Sequence, residues 1–95
     1  MKLQVVGCSH HNSNLEIRER LAFGREQARQ ALALLRQRFP QTEAVLLSTC
    51  NRVELYCASE QDTGCPTPQD VAAFFAEFHG LDALHVSADL FERTG

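Results

Sequence analysis

The sequence predicts an α+β sandwich, a small antiparallel or mixed sheet with helices on one face. Three observations lead there. Strand-like and helix-like segments interleave along the chain. Two apolar stretches in the middle read as a hairpin, and each helical segment carries its apolar residues on one side.

Taken in order, residues 2–9, KLQVVGCS, place Leu3, Val5, Val6 and Cys8 in a strand that Gly7 and the polar run after it bring to an end. Ser13 followed by Glu16 has the spacing of a capping box, so a short helix starts near Asn14 or Leu15. In LEIRERLAF, Ile17 and Leu21 share one face, and Arg18, Glu19 and Arg20 lie mostly on the other. Gly24 breaks this helix. Then Ala28, Ala31, Leu32, Leu35 and Phe39 recur at helical spacing until Pro40 stops the run.

EAVLLST and RVELYCA are strand material, with Val53, Leu55 and Cys57 facing one way and Glu54, Tyr56 and Ala58 the other. Thr67-Pro68-Gln69-Asp70 starts a helix: a capping hydroxyl, a proline in the first turn and an acid beside the helix dipole. Val71, Phe74, Phe75 and Phe78 form its stripe, and Gly80 ends it. LHVSADLF is read as a last strand. The resulting order places the chain in the ferredoxin-like kind of sandwich.

Composition narrows the function. The chain has 95 residues, 44% hydrophobic, which is one domain or part of one. Nine basic and twelve acidic residues exclude a strongly basic nucleic-acid domain but not a local basic patch. With no Trp and one Tyr, a base-stacking platform is disfavoured. No apolar run approaches membrane-spanning length, and the first residues lack a secretory apolar core. The expected location is therefore cytoplasmic, with no membrane partner. There the default for Cys8, Cys50, Cys57 and Cys65 is four free thiols, and no metal-ligand spacing links them.

Cys50 differs from the other three. In LLSTCNRVELY, residues 46–56, it interrupts strand sequence among Thr49, Asn51 and Arg52. A nucleophilic thiol needs a populated thiolate, solvent access and donors for the oxyanion it creates. Arg52 can lower the thiol pKa or hold an anionic substrate, Thr49 and Asn51 offer hydrogen bonds, and a bend or bulge would expose the side chain. Against this stands the ordinary reading, a small buried hydrophobe at a strand end with no base beside it. His10 and His11 read as a base, as metal ligands or as loop residues that bond locally. His79, at a helix C-terminus, suits the dipole when protonated and is assigned no function. Arg18, Arg20, Arg25, Arg29, Arg36 and Arg38 form a solvated face or contact phosphates.

STCNRVELY resembles the signature of the glutamyl-tRNA reductase family. VVGCSHHNSNLEIRERLAF resembles that family's N-terminal run, a G-x-x-H loop followed by an E-x-R-E helix, and FHGLDALHVSADLFERTG resembles the segment after its second long helix. His11 stands where the family has Lys or Arg.

The resemblance implies a role for Cys50 as the catalytic nucleophile, which takes glutamate from glutamyl-tRNA as a thioester. Hydride from NADPH then yields glutamate-1-semialdehyde for tetrapyrrole synthesis. It implies substrate contacts from Thr49, Asn51, Arg52 and His10, with Asn51 also holding the turn. It further implies that residues 1–95 are an N-terminal catalytic-domain fragment. The NADPH-binding domain, the domain that makes the homodimer and a histidine near the cysteine would fall beyond residue 95. The fragment alone would not carry out the reduction. A glutamate-1-semialdehyde aminotransferase is an expected partner. The other reading is a non-catalytic module that binds tRNA or a protein through its arginine-bearing helices.

Overall fold

The computed structural model describes residues 2–9, 15–60 and 64–94. Among the described residues eight elements follow one another: β1 (Lys2–Ser9), α1 (Leu15–Leu21), α2 (Arg25–Arg38), β2 (Glu43–Ser48), β3 (Arg52–Ser59), α3 (Pro68–His79), α4 (Ala83–Ala88) and β4 (Phe91–Thr94). The sheet runs β2-β3-β1-β4, with every neighbouring pair antiparallel. This is the split β-α-β arrangement of the ferredoxin-like sandwich, as the sequence predicts.

Register explains the two faces. Val6 pairs with Leu55, Cys8 with Val53 and Gln4 with Cys57, so these residues share one side of the sheet. They are buried against Leu21, Ala31, Leu35, Phe75 and Val86, one or more from each helix. Gln4 is a buried polar residue on this face, and its Nε2 donates to the Pro66 carbonyl at 2.6 Å. Val5, Val45, Arg52, Glu54, Tyr56 and Arg93 fall on the opposite side. No helix among the described residues is long and apolar enough to cross a membrane.

The helix signals work as expected. Thr67 Oγ1 accepts from Asp70 N and Asp70 Oδ2 from Thr67 N, each at 3.0 Å, so α3 opens with two amide donors satisfied. Its stripe of Val71, Phe74 and Phe75 is buried, and Gly80 closes it at φ 68°. In α2, Ala31 and Leu35 reach the core. The capping box at Ser13 lies outside the described residues.

Three expectations are corrected. Gly7 does not end β1, because the strand runs on to Ser9 with Gly7 opposite Glu54. A Cβ on Gly7 would lie 2.2 Å from the Val53 carbonyl oxygen and 2.9 Å from Glu54 Cγ, so close approach rather than a turn calls for glycine. LHVSADLF is not one strand. Asp82 Oδ1 accepts from Leu84 N at 3.0 Å and starts α4, which buries Val86. The strand comes afterwards, at Phe91–Thr94. His79 stands at the C-terminus of α3 as expected, but its surroundings disfavour the protonated ring that would suit the dipole. Its half-buried ring packs 4.5 Å from Phe23, burial lowers its pKa, and a hydrogen bond to the Leu21 backbone offsets this only in part.

Candidate functional site

The polar interruption at residues 48–52 is a tight turn joining β2 to β3. Thr49 N donates to the Arg52 carbonyl at 2.7 Å, leaving Cys50 and Asn51 at the tip. Thr49 Oγ1 accepts from Asn51 N at 3.2 Å and from Arg52 N at 3.1 Å. A hydroxyl that bonds two following amides substitutes for glycine chemistry in setting the turn. No non-glycine residue among those described has positive φ, so the turn is not of the primed types that favour glycine. The sequence predicts a bend or bulge here. A hairpin tip gives the same consequence, for Cys50 is exposed while Cys8, Cys57 and Cys65 are buried. Burial, with Cys65 nearby, pushes the Cys57 thiol up to about 12.

From this tip a cleft of about 880 Å³ runs over the helix-free face of the sheet. Ser9, Cys50, Arg52, Glu54, Tyr56 and Arg93 are among its lining residues. Strand periodicity brings Arg52, Glu54 and Tyr56 to one side of β3. The Glu54 side chain is only 8% exposed. Its Oε1 accepts from the Tyr56 hydroxyl at 2.7 Å and lies 3.9 Å from Arg52 Nη1. That hydrogen bond holds the Tyr56 proton and raises its pKa. Glu54 lies against β1 because Gly7 has no side chain to displace it.

Behind the tip stands α1. Arg18, expected on the solvent side, is 9% exposed, and its Nε donates to the Cys50 carbonyl at 3.4 Å. Phe23 N donates to Ser48 Oγ at 2.9 Å, a second tie between this region and the hairpin.

Four of the five predicted site residues thus converge: Cys50, Thr49, Asn51 and Arg52. His10, with its neighbour His11, lies outside the described residues. Sequence reasoning misses Arg18, Glu54 and Arg93. One signal is readable, since Arg18 stands three residues before Leu21 and so shares the face of α1 that carries the buried leucine. Glu54 and Arg93 give none, because a charged residue in a strand reads as solvent-facing until the opposing glycine or the cleft is known.

The described residues do not fit a dinucleotide. Its pyrophosphate needs a glycine-rich turn between a strand and a helix N-terminus. The glycine that heads α2 follows helix α1, and its N–H is bonded to Gln27 Oε1 at 2.8 Å. No group of three or more His, Cys, Asp or Glu side chains suited to a metal occurs among the described residues.

The family model described as glutamyl-tRNAGlu reductase, N-terminal domain, matches residues 6–95. The chain belongs to the glutamyl-tRNA reductase family. It is 42% identical over 95 residues to the glutamyl-tRNA reductase of Alcanivorax borkumensis, covering all of this chain and 22% of that protein. The Rhodopirellula baltica reductase is 53% identical over 58 residues, 61% of this chain and 14% of that one. The solved glutamyl-tRNA reductase of Methanopyrus kandleri superposes with a TM-score of 0.61 and 25% identity over 98% of this chain and 19% of its own. The chain therefore spans about a fifth of the length of such relatives.

Proposed function

We propose that this chain supplies the nucleophile and the glutamyl-binding surface of a reductase that converts glutamyl-tRNA to glutamate-1-semialdehyde in tetrapyrrole synthesis. The observation that carries the proposal is the position of Cys50, the exposed thiol at the tip of a hairpin that lines a cleft shared with Arg52, Glu54 and Arg93. The thiolate Sγ attacks the ester carbonyl carbon, and the carbonyl π pair moves onto oxygen. Collapse of that oxyanion breaks the ester bond. The ribose oxygen of the tRNA leaves and takes up a proton, and glutamate remains on Cys50 as a thioester. In this reading NADPH supplies hydride to the thioester from another part of the polypeptide, because the described residues of this chain offer its pyrophosphate no cradle.

The cleft suits the glutamyl group. Arg52 presents a planar guanidinium with donors for the side-chain carboxylate. Glu54 is a shielded carboxylate that complements the substrate's ammonium. Thr49 acts indirectly in this scheme, by fixing the turn. Binding of glutamyl-tRNA, the homodimer, the aminotransferase partnership and a cytoplasmic setting all belong to the same proposal. The alternative of a binding module that uses the arginine-bearing helices is less favoured. Arg20, Arg29 and Arg38 are engaged by Glu16, Glu26 and Glu77, and Arg18 is buried.

The test is transfer of radiolabelled glutamate from glutamyl-tRNA to the protein. Cys50→Ser should abolish formation of a hydroxylamine-labile adduct while tRNA binding persists. Undiminished transfer in that variant refutes the proposal.

A further inference from the structure

We propose that Arg18 is a positioning residue that clamps the peptide unit carrying the nucleophile; this rests on the reading of Cys50 as that nucleophile. The peptide joining Cys50 to Asn51 is held from both sides. Its carbonyl oxygen receives Arg18 Nε at 3.4 Å, and its N–H donates to Thr49 Oγ1 at 3.2 Å. A planar peptide fixed at both its oxygen and its nitrogen has little freedom to rotate. The Cα of Cys50 lies in that plane, and the bond from Thr49 N to the Arg52 carbonyl at 2.7 Å restrains the chain entering it, so the directions open to the Cα–Cβ bond narrow. Without such a tether, an exposed two-residue tip at the end of a hairpin is among the mobile parts of a fold.

The burial of Arg18 supports the assignment. Exposing a guanidinium from a short surface helix is easy, and burying one is costly unless its charge is used. Here one donor of the guanidinium, Nε, is directed at the carbonyl of the residue that carries the exposed thiol. The base of the clamp is firm. Leu21, one turn along α1, is fully buried, and the Leu21 backbone is bonded to His79 at the end of α3. Phe23 N holds Ser48 Oγ at 2.9 Å on the strand entering the turn. Position is therefore transmitted from α3 through α1 to the Cys50 peptide. Reactive groups must be placed to within a fraction of an ångström for efficient attack, so this geometry bears on the rate of acylation rather than on binding.

The experiment compares wild type, Arg18→Met and Arg18→Lys in two measurements. The first is amide hydrogen exchange of the 95-residue chain. Arg18→Met should lose protection at the Asn51 and Arg52 amides and keep it at Val6 and Leu55. The second is the single-turnover rate of Cys50 acylation by saturating glutamyl-tRNA. This should fall about tenfold with half-saturation unchanged, the scale of one lost hydrogen bond to a charged donor. Arg18→Lys keeps a buried cation with one reachable donor and should recover part of both. Unchanged turn protection, or an acylation rate within about twofold of wild type, overturns the clamp. If Arg18→Met unfolds, Arg18→Lys decides: wild-type half-saturation with a lowered rate supports the clamp, and wild-type values for both overturn it. If wild type itself is not acylated, the functional reading fails, and the exchange measurement still decides whether Arg18 holds the turn.

Discussion

Gly7→Ala is the substitution whose cost the structure specifies most directly. The added methyl carbon would meet the Val53 carbonyl oxygen at 2.2 Å, Glu54 Cα at 2.8 Å and Glu54 Cγ at 2.9 Å. The first two are backbone atoms of β3, so β1 and β3 must move apart where Gly7 pairs with Glu54. Overpacking of this kind costs roughly 1–3 kcal/mol. Stiffening the unfolded chain returns a few tenths to about 1 kcal/mol of that. A 2.2 Å meeting with backbone puts the overpacking cost in the upper half of its range, leaving a net of about 1–2.5 kcal/mol. At about 4–8 °C per kcal/mol for a domain of this length, the melting temperature should drop by roughly 4–20 °C. Thermal unfolding followed by circular dichroism measures it. Gly24→Ala is the control: its Cβ would meet nothing closer than Gln27 Oε1 at 3.5 Å, at a backbone φ of −71°. It should change stability by less than about 0.5 kcal/mol. If Gly7→Ala melts with the wild type, the close approach of β1 to Glu54 is wrong, and with it the reason Glu54 is shielded in the cleft.

Other outcomes follow from the same geometry. Thr49→Val removes the acceptor for two turn amides and should slow acylation of Cys50, whereas Thr49→Ser should keep most of it; single-turnover kinetics of both variants decide. Burial lowers the His79 pKa below its ordinary 6.5, so the folded state disfavours the proton that the unfolded chain binds. Stability should be full above about pH 6.5 and fall as pH drops below it. His79→Phe should flatten that slope in urea titrations run across the range. The Cys57 thiol moves the other way, from 9.0 to about 12. Stability should be intact below pH 9 and erode between pH 9 and about 12, and Cys57→Ala should remove that component.

How much of this is legible in the sequence depends on whether a residue's environment is local. The α3 cap and its Phe stripe are written within one helix, and the alternation of Val53, Leu55 and Cys57 within one strand. Both read correctly because propensity, period and burial agree. LHVSADLF misleads because its helix is six residues long and rests on one cap, Asp82, and one buried side chain, Val86. Too few turns exist there for a period to show. Turn propensity marks Gly7 as a strand end, but its actual role is set by Glu54, 47 positions further along the chain. Arg18 likewise depends on a carbonyl 32 residues away. Cys50, Thr49, Asn51 and Arg52 stand out in the sequence because they are contiguous. The groups that shape the cleft around them come from β1, β4 and the length of β3 beyond the turn.

The most direct test is to mix the folded 95-residue chain with glutamyl-tRNA, quench in acid and locate the adduct by peptide mass spectrometry. One glutamyl group is expected on the peptide containing Cys50, released by hydroxylamine, with Cys8, Cys57 and Cys65 unmodified. A folded chain that stays unmodified at Cys50, or that carries the glutamyl group on another residue, contradicts the reading of Cys50 as the nucleophile.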